Sequence, residues 1–207
     1  DFQLAVHHVT CAPLQDLSFA WSPGVSWVCG DEGKGKTTLL RLLAGDARPT
    51  SGHVATPEGG VFWVDLQNPA HDATTVQSCW DELRTQYPHW RIEILNDLAN
   101  ALNMDVHREK QLHMLSAGSR RKVMVIAAFA SGATVTLLDQ PFAALDWGSI
   151  RIIKEFLHGD GLYVFGNASY SGRAGINARD NELMEFLYFV TGFFQTDFID
   201  SAQCHTN

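Results

Sequence analysis

An α/β fold with a largely parallel sheet is predicted by three stretches of this 207-residue sequence. VSWVCG reads as a short strand and runs straight into the glycine-rich loop GDEGKGKT. TTLLRLLAG follows, where Leu39, Leu40, Leu42 and Leu43 give a helix a broad apolar face. Much later, TVTLLD is apolar apart from its threonines, as a strand buried on both faces is. Strand, helix and strand in alternation are the pattern of helices layered on a parallel sheet.

The remaining elements follow in order. Leu4 to Val9 and Leu17 to Trp21 alternate apolar and polar residues, which predicts two half-buried strands, and Pro23-Gly24 closes that part with a turn. Gly45 is placed to end the leucine-rich helix. Strands are expected at His53 to Ala55 and Val61 to Asp65, on either side of PEGG. From Thr75 to His113 the spacing is helical: Trp80, Leu83 and Tyr87 share one face, and Ile94, Leu95, Leu98, Ala101 and Leu102 the next. RRKVMVIAAFA predicts a helix with Val123, Ile126, Ala127 and Ala130 inward, closed by Gly132. A further helix starts near Trp147, and LYVF reads as a strand. Beyond His158 the texture changes: residues 159–207 hold two arginines, no lysine and nine aromatic residues. Leu183, Phe186, Leu187, Val190 and Phe194 fall on one helical face there, with Phe189 and Phe193 widening it toward a core or a partner.

Bulk properties narrow the function. A hydrophobic content of 45% over this length supports one compact unit, 1–207, with a helical subdomain at about 75–118 and an atypical tail at about 158–207. A formal charge of −8 gives no basic stripe for a phosphate backbone, so no nucleic-acid partner is expected. The sequence has no run of 18 apolar residues and its first residues lack a secretory pattern, which predicts a soluble, intracellular protein. Cys11, Cys29, Cys79 and Cys204 are scattered and read as incidental free thiols.

Three motifs carry the chemistry. Gly30 to Thr37 fits G-x-x-x-x-G-K-[ST] between a strand and a helix, where backbone N–H groups and the helix dipole can cradle phosphate. Within it Gly30, Asp31, Glu32, Gly33, Lys34 and Gly35 form the loop, Lys36 reaches the β and γ phosphates, Thr37 offers a hydroxyl to Mg2+, and Thr38 opens the helix. Lys34 is an extra cation without an assigned role. Asp139 ends the apolar strand, opposite Thr37, where a carboxylate can hold Mg2+ through water. LSAGSRRK lies between, with Ser116 placed to cap the next helix and Gly118 to leave an anion-binding surface.

In their order and spacing, these motifs resemble the nucleotide-binding subunit of ATP-binding cassette (ABC) proteins, whose signature begins LSGGQ and whose strand-end acid sits in a segment like LLDEPFAALD. The likeness runs from about residue 4 to about residue 157. It implies an ABC ATPase core of P-loop NTPase type, with N-terminal antiparallel strands, a mainly parallel sheet and a helical subdomain. It further implies Mg-ATP sandwiched between two cassettes, Ser116 and Gly118 meeting the γ-phosphate bound by the second. Homodimer and heterodimer both fit. A membrane permease subunit would be the other partner, which places the chain in the cytoplasm, peripheral on the inner face of the membrane. Gln67 stands at the family's glutamine loop, touching Mg2+ or water; without the resemblance it would be a surface residue. Asp146 would be the dimer-interface aspartate, or simply the cap of the helix at Trp147. The chain's size resembles compact exporter cassettes of the haem-exporter type.

Departures from the family pattern cluster in the hydrolytic half. Gln140 stands where the family has the glutamate that polarises the attacking water, and an amide has no basic form to accept a proton. Slow or absent hydrolysis follows. After LYVF the sequence reads GNAS, offering Asn167 or Ser169 in place of a switch histidine. VTCAPLQD lacks the usual adenine-stacking aromatic, Ala117 replaces a signature glycine, and Ser119 replaces its glutamine. Three origins fit: a naturally weakened cassette beside a competent partner, an introduced Glu→Gln change, or a tail that aligns differently. The functional expectation is an ATP-binding transporter subunit. Its rivals are a non-hydrolytic regulatory module and a soluble ABC ATPase acting on ribosomes or DNA.

Overall fold

The structure, a computed structural model, describes residues 3–28, 31–156 and 162–166. Its N-terminal part is antiparallel: β1 (Leu4–Cys11) pairs with β2 (Leu14–Trp21) on one side and with a later strand, Ser51–Ala55, on the other. β1 breaks register between Val6 and Val9, where His8 takes a φ of 49°. Gly52 lies opposite that break, and a Cβ there would sit 2.3 Å from the His8 carbonyl oxygen, so only glycine fits.

β3 (Gly24–Val28) begins the second sheet and leads to helix α1 (Lys36–Leu43). β4 is the Ser51–Ala55 strand, and β5 is Val61–Phe62. Helices α2 (Val76–Gln86) and α3 (Ile92–Ala101) come next, then short 3₁₀ turns at Asp105–His107 and Leu112–Met114. α4 (Ala117–Ala130), β6 (Val135–Asp139), α5 (Trp147–Phe156) and β7 (Leu162–Gly166) complete the described chain. The second sheet has the order β3-β7-β6-β5 and its pairings are parallel.

α1 sits between the sheets. Leu39, Leu40, Leu42 and Leu43 are each at most 1% exposed and join a core with Leu4, Val6, Val135 and Leu137. At about 1.5–3 kcal/mol for each fully buried leucine, that face alone fixes where α1 points. The registers Val28↔Gly166 and Asp139↔Gly166 align the carboxyl ends of β3, β7 and β6 in one row. This row is where ligands bind in open parallel sheets.

Four details differ from the sequence expectation. The strand expected over Val61 to Asp65 stops at Phe62, because the Asp65 carboxylate accepts from the Gln67 N–H at 3.0 Å and turns the chain. α3 buries Ala99 rather than Ala101, its stripe running Leu95, Leu98, Ala99 and Leu102. The helical pattern does not run through to His113, because the chain leaves α-helix after Ala101 and Asn103 adopts a φ of 56°. In α4 the whole run Val123–Ala130 is buried, since α2 and α3 cover the side that β6 does not. Cys79 is buried, and burial with nearby Glu82 pushes its thiol up to about 12; Cys11 and Cys79 are both free.

Candidate functional site

The glycine-rich loop leaves β3 and turns back into α1. Gly30 lies outside the described residues; Asp31 to Lys34 are exposed, with the Lys34 N–H on the Asp31 carbonyl at 3.3 Å. Gly33 and Gly35 have φ values of 79° and 94°, in the region that favours glycine. At Gly35 space is also closed, because a Cβ would lie 2.8 Å from Leu14 Cδ2 and 3.0 Å from Pro13 Cγ. Thus VTCAPLQD, at the β1–β2 turn, braces the loop. Among the described residues no side-chain cap bond closes the start of α1, which opens onto the loop. Lys36 is 8% exposed and its Nζ donates to the Asp31 carbonyl at 2.7 Å, which folds its cation over the loop.

One contact joins the two halves of the site. Thr37 Oγ1 donates to Asp139 Oδ2 at 2.6 Å, across a sequence separation of 102 residues. A hydroxyl and a carboxylate oxygen side by side form a hard-oxygen pair of the type Mg2+ takes. The next residue, Gln140, is exposed and has a φ of 49°, a conformation that costs a non-glycine residue roughly 1–2 kcal/mol. Two bonds hold it there: Arg121 Nη1 donates to the Asp139 carbonyl at 2.7 Å, and the Ala143 N–H to the Gln140 carbonyl at 3.1 Å. Burial pushes the Arg121 guanidinium down from its usual range, while Asp139 and Asp65 work against that shift.

The signature residues form a second group. Ser116 caps α4, accepting from the Ser119 N–H at 3.1 Å and donating to Ser119 Oγ at 3.0 Å. Gly118 lies inside the first turn of α4, half-buried, and a Cβ there would sit 2.4 Å from the Ala144 carbonyl oxygen. Its lack of a side chain therefore serves close packing; freedom of the backbone is not what the position uses. Asp146 behaves as a cap: its carboxylate accepts from the Ser149 N–H at 2.9 Å and from Ser149 Oγ at 2.6 Å. These two bonds, with Lys122 at 3.4 Å, hold the Asp146 carboxyl down at about 2. A lowered carboxylate stabilises the folded state above its ordinary value of 3.8 and loses that contribution as pH falls through about 2. Asp146→Asn is expected to flatten the acid limb of thermal stability in that window, and Asp146→Ala to cost about 1 kcal/mol at neutral pH, as lost caps do; melting temperatures between pH 2 and 7 check both.

Gln67 is exposed in the turn after β5, and the described contacts involve its backbone. Asn167 and Ser169 lie outside the described residues, as do Cys29, Cys204 and the aromatic tail with Phe189 and Phe193. Sequence reasoning missed Arg120, Arg121 and Lys122 as contributors. A signal was present: three consecutive cations near a helix N-terminus oppose its dipole and need acceptors elsewhere.

Comparisons with known proteins bear on the family and the fold. The family model described as ABC transporter matches residues 14–143. The chain is 30% identical over 143 residues to the cytochrome c biogenesis ATP-binding export protein CcmA of Pseudomonas savastanoi, covering 64% of this chain and 67% of that one. To the protein of the same name from Tatumella citrea it is 28% identical over 187 residues, 83% of this chain and 85% of that one. A dimeric bacterial ABC transporter cassette superposes with a TM-score of 0.64 at 18% identity, covering 79% of this chain and 87% of the other, which shows the shared fold. Among the described residues no helix is long and apolar enough to cross a membrane.

Proposed function

The chain belongs to the ABC transporter family as a nucleotide-binding subunit, and on that premise we propose that it binds Mg-ATP at a cassette dimer interface and turns it over slowly or not at all. The observation that carries the reading is the bond between Thr37 and Asp139, which brings the loop helix and the end of β6 to one point. Lys36 and the leading N–H groups of α1 are the phosphate ligands, and Asp31 to Gly35, with Thr38, shape the loop around them. Thr37 and Asp139 would hold the metal, and Gln67 would touch it or its water. When bound, Mg2+ neutralises charge on the β and γ phosphates. Ser116 and Gly118 then face the γ-phosphate held by the second cassette, of the same or another chain.

The partner that crosses the bilayer is a permease subunit, and docking on it puts this chain at the inner face of the membrane. The two CcmA relatives, named as ATP-binding export proteins, support an export cassette as the class. Gln140 favours a second reading, a regulatory module in which ATP closes the dimer without being spent, because an amide orients water but takes no proton.

Equilibrium titration with ATP and Mg2+ tests the first step. Lys36→Ala is expected to weaken binding by about 100-fold, the loss of a charge-assisted phosphate contact. Equal affinity in the two proteins, both folded, would remove the reading.

A further inference from the structure

Arg120, one of the cations the motif reading left without a role, reaches out of α4 to the turn that carries Gln67. Its Nε donates to the Leu66 carbonyl, its Nη2 to the Asn68 carbonyl at 3.2 Å, and its Nη1 to Asp72 Oδ1 at 2.6 Å. The side chain is 12% exposed, that of Asp72 42%. One guanidinium therefore holds the residues on both sides of Gln67 and a carboxylate five positions further on.

The far end of the segment is stitched separately. The Leu112 N–H donates to the Thr74 carbonyl at 2.9 Å, the His113 N–H to the Asp72 carbonyl at 3.1 Å, and the Val76 N–H to the Lys110 carbonyl at 3.0 Å. The near end has the Asp65 carboxylate on the Gln67 N–H and, beyond that, Arg120. A cation in the opening turns of a helix works against the helix dipole, so its place there depends on these three acceptors. The planar fork suits Arg alone: a lysine ammonium keeps the charge and cannot span two carbonyls and a carboxylate.

We propose that Arg120 is a positioning residue for Gln67, a guanidinium clamp that ties the turn at residues 66–72 to the start of α4, so that the glutamine and the signature turn are displaced together. The inference rests on the Mg-ATP reading above and deepens it, by naming what holds Gln67 toward the metal.

The test uses the whole chain, with Arg120→Met, Arg120→Lys and Asp72→Asn. Asp72→Asn leaves the guanidinium its two carbonyls and so guards against a variant that fails to fold. Hydrogen exchange without nucleotide is read at the amides of Gln67, Asn68, Ala70 and Thr74, each hydrogen-bonded within the turn. Exchange there is expected to rise about tenfold in Arg120→Met, less in the other two, and to stay constant in α1. ATP affinity is then measured with Mg2+ and with EDTA. The gain that Mg2+ brings is expected to shrink by about fivefold in Arg120→Met, with metal-free affinity unchanged and Arg120→Lys recovering only part. Unchanged exchange overturns the clamp, and a parallel loss of affinity with and without Mg2+ overturns the positioning role. Absence of Mg-ATP binding by the unsubstituted chain would instead remove the functional reading, and the exchange result would still decide whether Arg120 holds the turn.

Discussion

Gln140→Glu is expected to raise steady-state ATP hydrolysis about 100-fold over the unsubstituted chain without changing ATP affinity. A positioned general base is worth roughly 10²–10⁴ in rate, and the lower end applies because GNAS supplies no histidine to help it. The substitution is nearly isosteric. Its backbone demand is the same, since glutamine and glutamate bear a φ of 49° equally well and the bonds that impose it are backbone acceptors, the Asp139 carbonyl for Arg121 and the Gln140 carbonyl for the Ala143 N–H. The new carboxylate therefore starts where the amide was, exposed and one residue past Asp139, with only its proton affinity altered. Phosphate release measured for both proteins, with Lys36→Ala as the control that does not bind, decides the matter. If both bind and only the glutamate form turns over, the amide alone keeps this chain from spending its nucleotide. Silence from both, with binding intact, would assign the chain to switching and would locate the defect beyond position 140.

Gly118→Ala is expected to lower stability by up to about 2 kcal/mol, despite a helix propensity that argues the other way. At an unconstrained helical position alanine is better than glycine by roughly 1 kcal/mol. Here the added carbon meets the Ala144 carbonyl oxygen at 2.4 Å, and a backbone atom cannot swing aside as a side-chain end does. Overpacking of this kind costs about 1–3 kcal/mol before the propensity gain is subtracted. Ala144 already has a φ of 61° and lies between Gln140 and the Asp146 cap, so displacement of its carbonyl disturbs both. A melting temperature lower by up to about 8 °C is the expected readout. An increase would show that the loop yields freely and that Gly118 serves an incoming ligand instead of a neighbour.

Much of this molecule was legible because the relevant preferences are local. The leucines at 39, 40, 42 and 43 can share one face only on a helix, and the buried β6 strand is announced by the four residues Val135–Leu138 in a row. Gly33 and Gly35 need positive φ whatever surrounds them. Ser116 and Asp146 cap the helices that directly follow them, through bonds three residues long. Local reading failed at β5 because the strand pattern overlooked a local turn, the Asp65 carboxylate on the Gln67 N–H, and it failed at α4 because helices distant in sequence cover the whole of Val123–Ala130.

The sequence by itself determined the order of the motifs, the type of nearly every described element and the chemistry each side chain brings, since these depend on residue type and on positions a few residues apart. Only the tertiary structure decided what those side chains meet. Thr37 finds Asp139 because β3 and β6 end level on either side of β7, and Arg120 finds Leu66, Asn68 and Asp72 because α4 packs beside the turn after β5. A long cation has many conformations of nearly equal energy in the open chain, and the folded geometry selects among them.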